Sequence, residues 1–414
     1  MDRVETKIEF LYRKHFGQLV ASLVYSSKDI DLPVAEDIVH DSFSAALIDW
    51  RKKGVPLNPA GWLYRVCRNK SLNKINKDKR VEPLGDNRQP PGAEVQFEES
   101  VLDDQQLKLL FACAHPDLSP KVQVVITLKY VANFRVEGIA NMLAMTVDGV
   151  DKLLVRARQK IQSEKILLEE PDTSSLLPRI PIVLKIIYLI FNEGYKATAG
   201  KEIVREELCE EALILNKSLM DAGLGGDDAL ALHALMLFNI ARLESRLGES
   251  GELLDLERQD RTKWNKDLIL LGNDFLRRSQ TTQVSSYHLQ ASIAYIHCAA
   301  NTFADTDWAT ISHLYARLLH ENPNPFVELN QAIALYYAGE PARAFDILHA
   351  LQKNQFMNRY YLLNSALGKL YHLEGDDAKA RIFLEKAYGQ ASFIKEKEFI
   401  KTMIDKTASK SENC

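Results

Sequence analysis

Two stretches toward the C-terminal end, LNQAIALYYAGEPARAFDIL (329–348) and NSALGKLYHLEGDDAKARIFL (364–384), superpose at a shift of 36 residues. Under that shift Gly339 meets Gly375, Ala342 meets Ala378, Ala344 meets Ala380 and Leu348 meets Leu384. A period of this size is one supersecondary unit, which cannot bury its apolar face alone and must stack on a neighbour. The alanines let paired helices approach closely, and stacked pairs make a concave wall that binds peptides or partner helices more often than it does chemistry. The whole segment after about Pro171 reads as helical, with a net acidic balance and no clean repeat between 175 and 330. Its most apolar stretch, PIVLKIIYLIFNEGY (181–195), is expected to be buried. Because the rest of the chain is helical in period too, the expected fold class is all-α.

At 414 residues the chain has room for two or three domains. A net charge of −4 excludes a uniformly basic nucleic-acid coat, so any such role must be local. Residues 1–80 carry fifteen Lys and Arg against ten Asp and Glu. There is no N-terminal signal pattern and no run of about 18 apolar residues, which leads us to expect a cytoplasmic chain without a membrane partner. Cys67, Cys113, Cys209, Cys298 and Cys414 are scattered, as suits a reducing compartment.

Near the N-terminus, Ile8, Leu11, Phe16, Leu19, Leu23 and Val24 predict a helix over 4–30. Pro33 opens a second helix with Ala35, Val39, Phe43, Ala46 and Trp50 as its core stripe. Glu36, Asp37, His40, Asp41 and Ser44 form a separate acidic strip, either a plain solvated face or a docking face. A loop, 51–61, leads to NPAGWLYRVCRNKSLNKINKDKR (58–80), where Asn58 and Pro59 are suited to open a helix. Leu63, Val66 and Cys67 of that helix face a core. At about 100° per residue, Arg65, Asn69 and Asn76 line up on another face, flanked by Arg68, Leu72 and Lys79. From Trp62 to Arg80 there are seven basic residues, Lys70 among them, against the single acid Asp78. Such a helix is either a solvated basic rod or a surface for a nucleic-acid backbone, with amides available for bases.

Pro83, Pro90, Pro91, Gly85 and Gly92 mark 81–104 as a linker, and eight acids against two bases over 81–118 make it acidic. Ser119 and Pro120 then open KVQVVITLKYV. VEGIANMLAMTVDGVDKLLVRARQKI carries the outline of a helix-turn-helix, with Ile139, Ala140 and Leu143 in the first helix and Ala144, Met145 and Thr146 in the turn. Val150, Leu153, Leu154, Ala157 and Ile161 stripe the second helix, while Lys152, Arg156, Arg158 and Lys160 point elsewhere.

Signatures of catalysis are lacking. Cys113-x-His115 is too short for a metal site without two more ligands, and His288 and His297 lie in apolar helical surroundings that suit packing. No P-loop, nucleophile elbow or paired-glycine fingerprint occurs, so no enzyme, cofactor or metal is expected.

These pieces together resemble a bacterial RNA polymerase sigma factor of the extracytoplasmic-function type. AEDIVHDSF resembles that family's first conserved helix, and GWLYRVCRNKSLNKI resembles the helix that opens and reads the −10 element. The segment 119–161, ending in VRARQKI, resembles its −35-reading domain. The repeats resemble tetratricopeptide units, and IYLIFNEGY and TDWATISHLYARLL (306–319) resemble the subgroup with a long helical extension. The likeness implies a −10 and polymerase-binding domain at 1–80, an acidic linker at 81–104, a −35 domain at 105–168 and an extension at 172–408 with repeats near 329–390. Core RNA polymerase would dock on Asp37, Ile38 and Asp41, with Ile38 as an exposed apolar patch. Promoter DNA at the −10 element would meet Trp62, Arg65, Arg68, Asn69, Lys70, Asn76, Lys79 and Arg80, with the 51–61 loop capturing a flipped base. At the −35 element the likeness points to Thr146, Gly149, Lys152, Arg156 and Arg158. Family members offer a more basic start to that helix, where this chain has Asp148 and Asp151. The extension would answer to a peptide, protein or small-molecule regulator. Rival readings are a repeat scaffold with a helix-turn-helix, or a DNA-binding repressor.

Overall fold

Asp31 and Pro33 start α2 as their chemistry dictates. Asp31 Oδ1 accepts from the Val34 N–H at 3.0 Å, satisfying one of the helix's first free donors. The helix, Leu32–Lys53, ends where Gly54 adopts φ +84° and its N–H reaches the Trp50 carbonyl at 2.9 Å. Its stripe of Ala35, Val39, Phe43, Ala46 and Trp50 is buried throughout. The stripe belongs to a core shared with Phe16, Leu19, Val20 and Leu23 of α1 (Arg3–Ser26). In α3 (Pro59–Asp78) the Asn58 side chain accepts from the Gly61 N–H, and Leu63 and Cys67 are buried. Removing a side chain as large and enclosed as Trp50 costs about 3–5 kcal/mol, enough to disrupt this module.

The computed structural model describes residues 3–27, 29–78, 99–143, 145–164, 166, 173–196, 204–246, 248, 254–279, 282–321 and 323–411. Among them every regular element is helical, and the fold is all-α. The chain comprises two compact units, Met1–Ala229 and Leu230–Cys414.

After α3, the first unit continues with α4 (Glu99–Cys113), α5 (Pro120–Tyr130), α6 (Val136–Met142), α7 (Val147–Ser163), a single turn α8 (Thr173–Leu176), α9 (Ile180–Tyr195) and α10 (Glu206–Asp221). Helices α5, α6 and α7 pack on one another, and α4 lies against α1. Helices α9 and α10 pair with each other, α9 also packing on α5 and α10 on α4. The buried Arg179 donates through Nη1 to the Phe111 carbonyl at 2.8 Å, fixing the start of α9 on the end of α4. By length and composition alone Ser174–Tyr195 could cross a membrane. Here Val183, Leu184, Ile186, Ile187, Ile190 and Phe191 are buried within the packed unit, as expected for 181–195. The segment 172–229, which the sequence groups with the extension, therefore falls in the same compact unit as the N-terminal helices.

Helix α11 (Gly226–Ile240) contains the division between units. In the second unit follow α12 (Lys266–Arg278), α13 (Ser286–Ala299), α14 (Trp308–Glu321), α15 (Pro325–Tyr337), α16 (Pro341–Gln352), α17 (Tyr361–Leu373), α18 (Asp377–Gln390) and α19 (Ile394–Ser411). The 36-residue shift carries α15 onto α17 and the start of α16 onto that of α18. It also holds at the turns. Gly339 and Gly375 have φ +88° and +80°, and each is followed by an N–H bonded back five residues, Glu340 to Leu335 and Asp376 to Tyr371. This is the glycine-terminated helix end that only a residue without Cβ adopts freely. Ala344, Ala380, Leu348 and Leu384 are all buried. Within the repeated pair the helices approach closely at Gly368, where a Cβ would stand 2.6 Å from Leu384 Cγ.

A third hairpin, α13 with α14, precedes these two and packs on α15. Its connection, 300–307, is longer than the turns of the later pairs, which breaks the period in the sequence. Arg261 holds that connection by donating to the carbonyls of His297 (2.6 Å) and Ala300 (2.8 Å) and to Thr306 Oγ1 (3.3 Å).

Candidate nucleic-acid interface

Helix α3 turns one face inward and one outward. Leu63, Cys67 and Ser71 are buried, so Arg65, Arg68, Asn69 and Leu72 project on the opposite side and are exposed. Arg65 and Arg68 make no ion pair among the described residues, leaving two cations beside an amide on one strip. Asn76 continues the strip, partly buried. Trp62 sits at its head with its ring edge-on to the buried Trp50, centroids 5.4 Å apart. That contact fixes the indole and leaves only part of it open. Lys70 lies to the side, its Nζ 3.9 Å from Asp41 Oδ2 on α2. Lys79 and Arg80 lie outside the described residues, as does 81–98 of the acidic linker.

The loop before α3 holds a residue the sequence reading did not single out. Leu57 is fully exposed, and Val55 is exposed too, on a segment bent by Gly54 and Pro56. Two apolar side chains held in water between a glycine and two prolines was the available signal.

On α2, Asp37 and Asp41 are exposed as expected of a docking face, but Ile38 is not. It is only 7% exposed, and its position next to Val39 and one turn before the buried Ser42 draws it into the core. Ile38 therefore supplies no surface patch in this structure. Glu36 is also buried, with Lys129 Nζ of α5 2.5 Å away and His40 Nε2 3.6 Å away. Burial raises the Glu36 carboxyl, but hydrogen bonds and charge from His40 and Lys129 outweigh it and hold the group below the usual carboxylate range.

The second cluster, on α7, is less open. Thr146 Oγ1 caps the helix by accepting from the Gly149 N–H at 3.1 Å, so both residues build the helix start. Lys152 pairs with Asp148 at 2.6 Å one turn away, and Asp151 is exposed alongside. Arg156 is exposed. Arg158 is turned inward: its Nε donates to the Tyr130 hydroxyl at 2.8 Å and its guanidinium lies over that ring. The outward backbone contact expected of Arg158 does not fit this placement, because position 158 adjoins the buried Ala157 and follows it onto α5. Ala144, expected in the turn, lies outside the described residues.

The remaining singled-out groups have structural surroundings. Cys113 is enclosed and burial pushes its thiol up to about 12. His288 bonds Ser285 and the Ser279 carbonyl, closing the start of α13. His297 packs edge-on to Trp308, and burial, reinforced by Arg242 and Arg261, pushes its imidazole down to about 3. No group of three His, Cys, Asp or Glu side chains suited to a metal occurs among the described residues.

Residues 179–280 match a family of unknown function, DUF6596, covering less than half of the chain from the start of α9 to the end of α12. An uncharacterised protein of Rhizobium meliloti (strain 1021) is 29% identical over 405 residues, 95% of this chain and 94% of the relative. The likeness thus runs through both compact units. No solved structure matches.

Proposed function

We propose that the chain is a bacterial sigma factor of the extracytoplasmic-function type, which joins core RNA polymerase, melts promoter DNA and directs initiation in the cytoplasm. The observation that carries the reading is the outward strip of α3, in which Arg65, Arg68 and Asn69 stand exposed beside Leu72 and below a clamped Trp62. Guanidinium groups hold a phosphate backbone, while the amide and the open part of the indole meet unstacked bases. Leu57 on the adjoining loop adds an apolar surface for an extruded base. Asp37 and Asp41 supply the acidic contact for polymerase.

In this reading α7 contributes little base readout. Its exposed start carries Asp148 and Asp151, unfavourable beside phosphates, and Arg156 is left as its main cationic contact once Arg158 is engaged with Tyr130. The same features weigh against a repressor that grips duplex DNA through α7 alone. The hairpins of the second unit suit regulation of the chain by a bound peptide or protein.

Replacing Arg65 and Arg68 together by alanine is expected to abolish promoter opening, read as permanganate reactivity of unpaired thymines, and to leave capture of core polymerase intact. Equal loss of both activities would contradict the role given to α3.

A further inference from the structure

In the second unit an irregular stretch, 254–260, runs beside the repeats before it enters the one-turn helix Arg261–Lys263. Asp255 and Glu257 both reach Lys369 of α17, with Oδ2 and Oε2 standing 2.9 and 2.7 Å from its Nζ. The Arg258 guanidinium lies over the Phe399 ring of α19 at 4.9 Å, and Arg261 grips the end of α13 through the His297 and Ala300 carbonyls. The Tyr337 hydroxyl of α15 stands within electrostatic reach of Lys369, Asp255 and Glu257. The stretch 254–261 thus meets α13, α15 and α17, the first helices of three successive pairs, and α19, which follows the last. In stacked hairpins that side is the concave binding surface.

This contact differs from ordinary core packing. None of residues 254–260 is buried, so the stretch contributes little apolar area. Its far end is tied independently, because Trp264 is buried and its indole N–H donates to Ser245 Oγ at 2.7 Å. The repeat itself needs no cation at this place: under the 36-residue shift Lys369 falls on Ile333, which packs against the apolar core. Lys369 is matched to the two acids instead. Burial lowers its ammonium, but the charge of Asp255 and hydrogen bonds to both acids outweigh that and hold it above its ordinary range. The side chains of Glu257 and Lys369 are 44% and 25% exposed, so a carboxylate arriving from solvent reaches the ammonium without opening the core.

We propose that the turn 254–260 is an internal stand-in for a partner: the cradle of Lys369, Tyr337 and Phe399 receives an acidic peptide segment of another protein, whose carboxylates settle on Lys369 in place of Asp255 and Glu257. Arrival of that segment expels the turn, while Trp264 keeps the chain anchored behind it. A peptide fits better than a nucleic acid, because the cradle sets a lysine beside aromatic rings within an extension of net acidic charge. The inference rests on the peptide-binding role given above to the second unit and involves no step at promoter DNA.

The probe is a fluorescein-labelled peptide of the chain's own sequence LDLERQDRTK (254–263), titrated against the full chain and read by fluorescence anisotropy. The wild-type chain is expected to bind it weakly, since the tethered turn holds the cradle at high effective concentration. An Asp255→Asn, Glu257→Gln chain frees the cradle and should bind at least about tenfold more tightly, with circular dichroism unchanged. A peptide with Asn and Gln in place of those two acids should lose the gain. So should the chain that adds Lys369→Gln, which leaves no unpaired charge at the cradle. Hydrogen exchange needs no variant: in the wild-type chain, exchange over 254–260 should rise at saturating peptide while 264–270 stays protected. No gain in the double variant, or no rise in exchange, overturns the proposal. Binding that ignores Lys369 removes the cradle and leaves a peptide-binding wall, whereas no binding in any form removes both. Preferential uptake of a single-stranded DNA oligomer at Lys369 would assign the site to phosphates and overturn the peptide. The sigma reading is decided separately, by promoter opening and polymerase capture.

Discussion

The ion pair between Glu36 and Lys129 gives the most quantitative handle on the first unit. The two side chains are 11% and 20% exposed, so neither belongs with freely solvated surface pairs. Removing one partner of a well-buried pair costs about 3–5 kcal/mol, mostly the cost of leaving the other charge buried and unpaired. Partial exposure and the remaining contact from His40 lower that for Lys129→Met to about 2–3 kcal/mol. A double-mutant cycle with Glu36→Gln should return a coupling of about 1–2 kcal/mol, above the few tenths typical of exposed pairs. The assay is urea unfolding followed by hydrogen exchange of peptides from α2 and α5, which isolates the first unit from the second. Because the folded-state carboxyl lies below its unfolded value, its stabilisation is fully present above the unfolded pKa of about 4.3 and is lost as pH falls through the lower folded value. The coupling should therefore be present at pH 7 and fade below about pH 4. A coupling under about 0.3 kcal/mol at neutral pH, or one that grows on acidification, would refute the argument.

Gly339→Ala and Gly375→Ala should each destabilise the second unit by about 1–2 kcal/mol, since both positions have positive φ and open space for the methyl group. Equal drops in melting temperature would mark the two turns as equivalent, and no drop at either would contradict the strain argument. Gly272→Ala should cost about 1–3 kcal/mol by forcing a Cβ to within 2.8 Å of the Phe238 ring, a loss visible in the same melting experiment. Arg158→Ala should lower the stability of the first unit by about 1.5–3 kcal/mol through its bond to Tyr130, whereas Arg156→Ala should leave stability alone and weaken only DNA affinity. The reverse pattern in a denaturation and gel-shift pair would return Arg158 to the DNA-facing side.

What could be read from the sequence was what is decided locally. Pro33, and Asn58 with Pro59, act within one turn of themselves, so the helix starts they mark follow from chemistry alone. The stripe from Ala35 to Trp50 was legible because burial repeats at the helical period. Ile38, Glu36 and Arg158 were read outward because a wheel gives direction relative to one helix, not what packs over its flank. α5 lies against both flanks, collecting Glu36 through Lys129 and Arg158 through Tyr130. The α13–α14 hairpin escaped notice because the connection held by Arg261 alters its length. The placement of α9 and α10 in the first unit depends on contacts such as Arg179 to the Phe111 carbonyl, 68 residues apart, which no local pattern encodes.

Run-off transcription with purified core RNA polymerase stripped of its own specificity subunit addresses the central claim most directly. Adding this chain to genomic promoter fragments should yield discrete transcripts that are absent with core enzyme alone, and the Arg65→Ala, Arg68→Ala form should yield none. A chain that neither joins the core enzyme nor starts any discrete transcript would contradict the account.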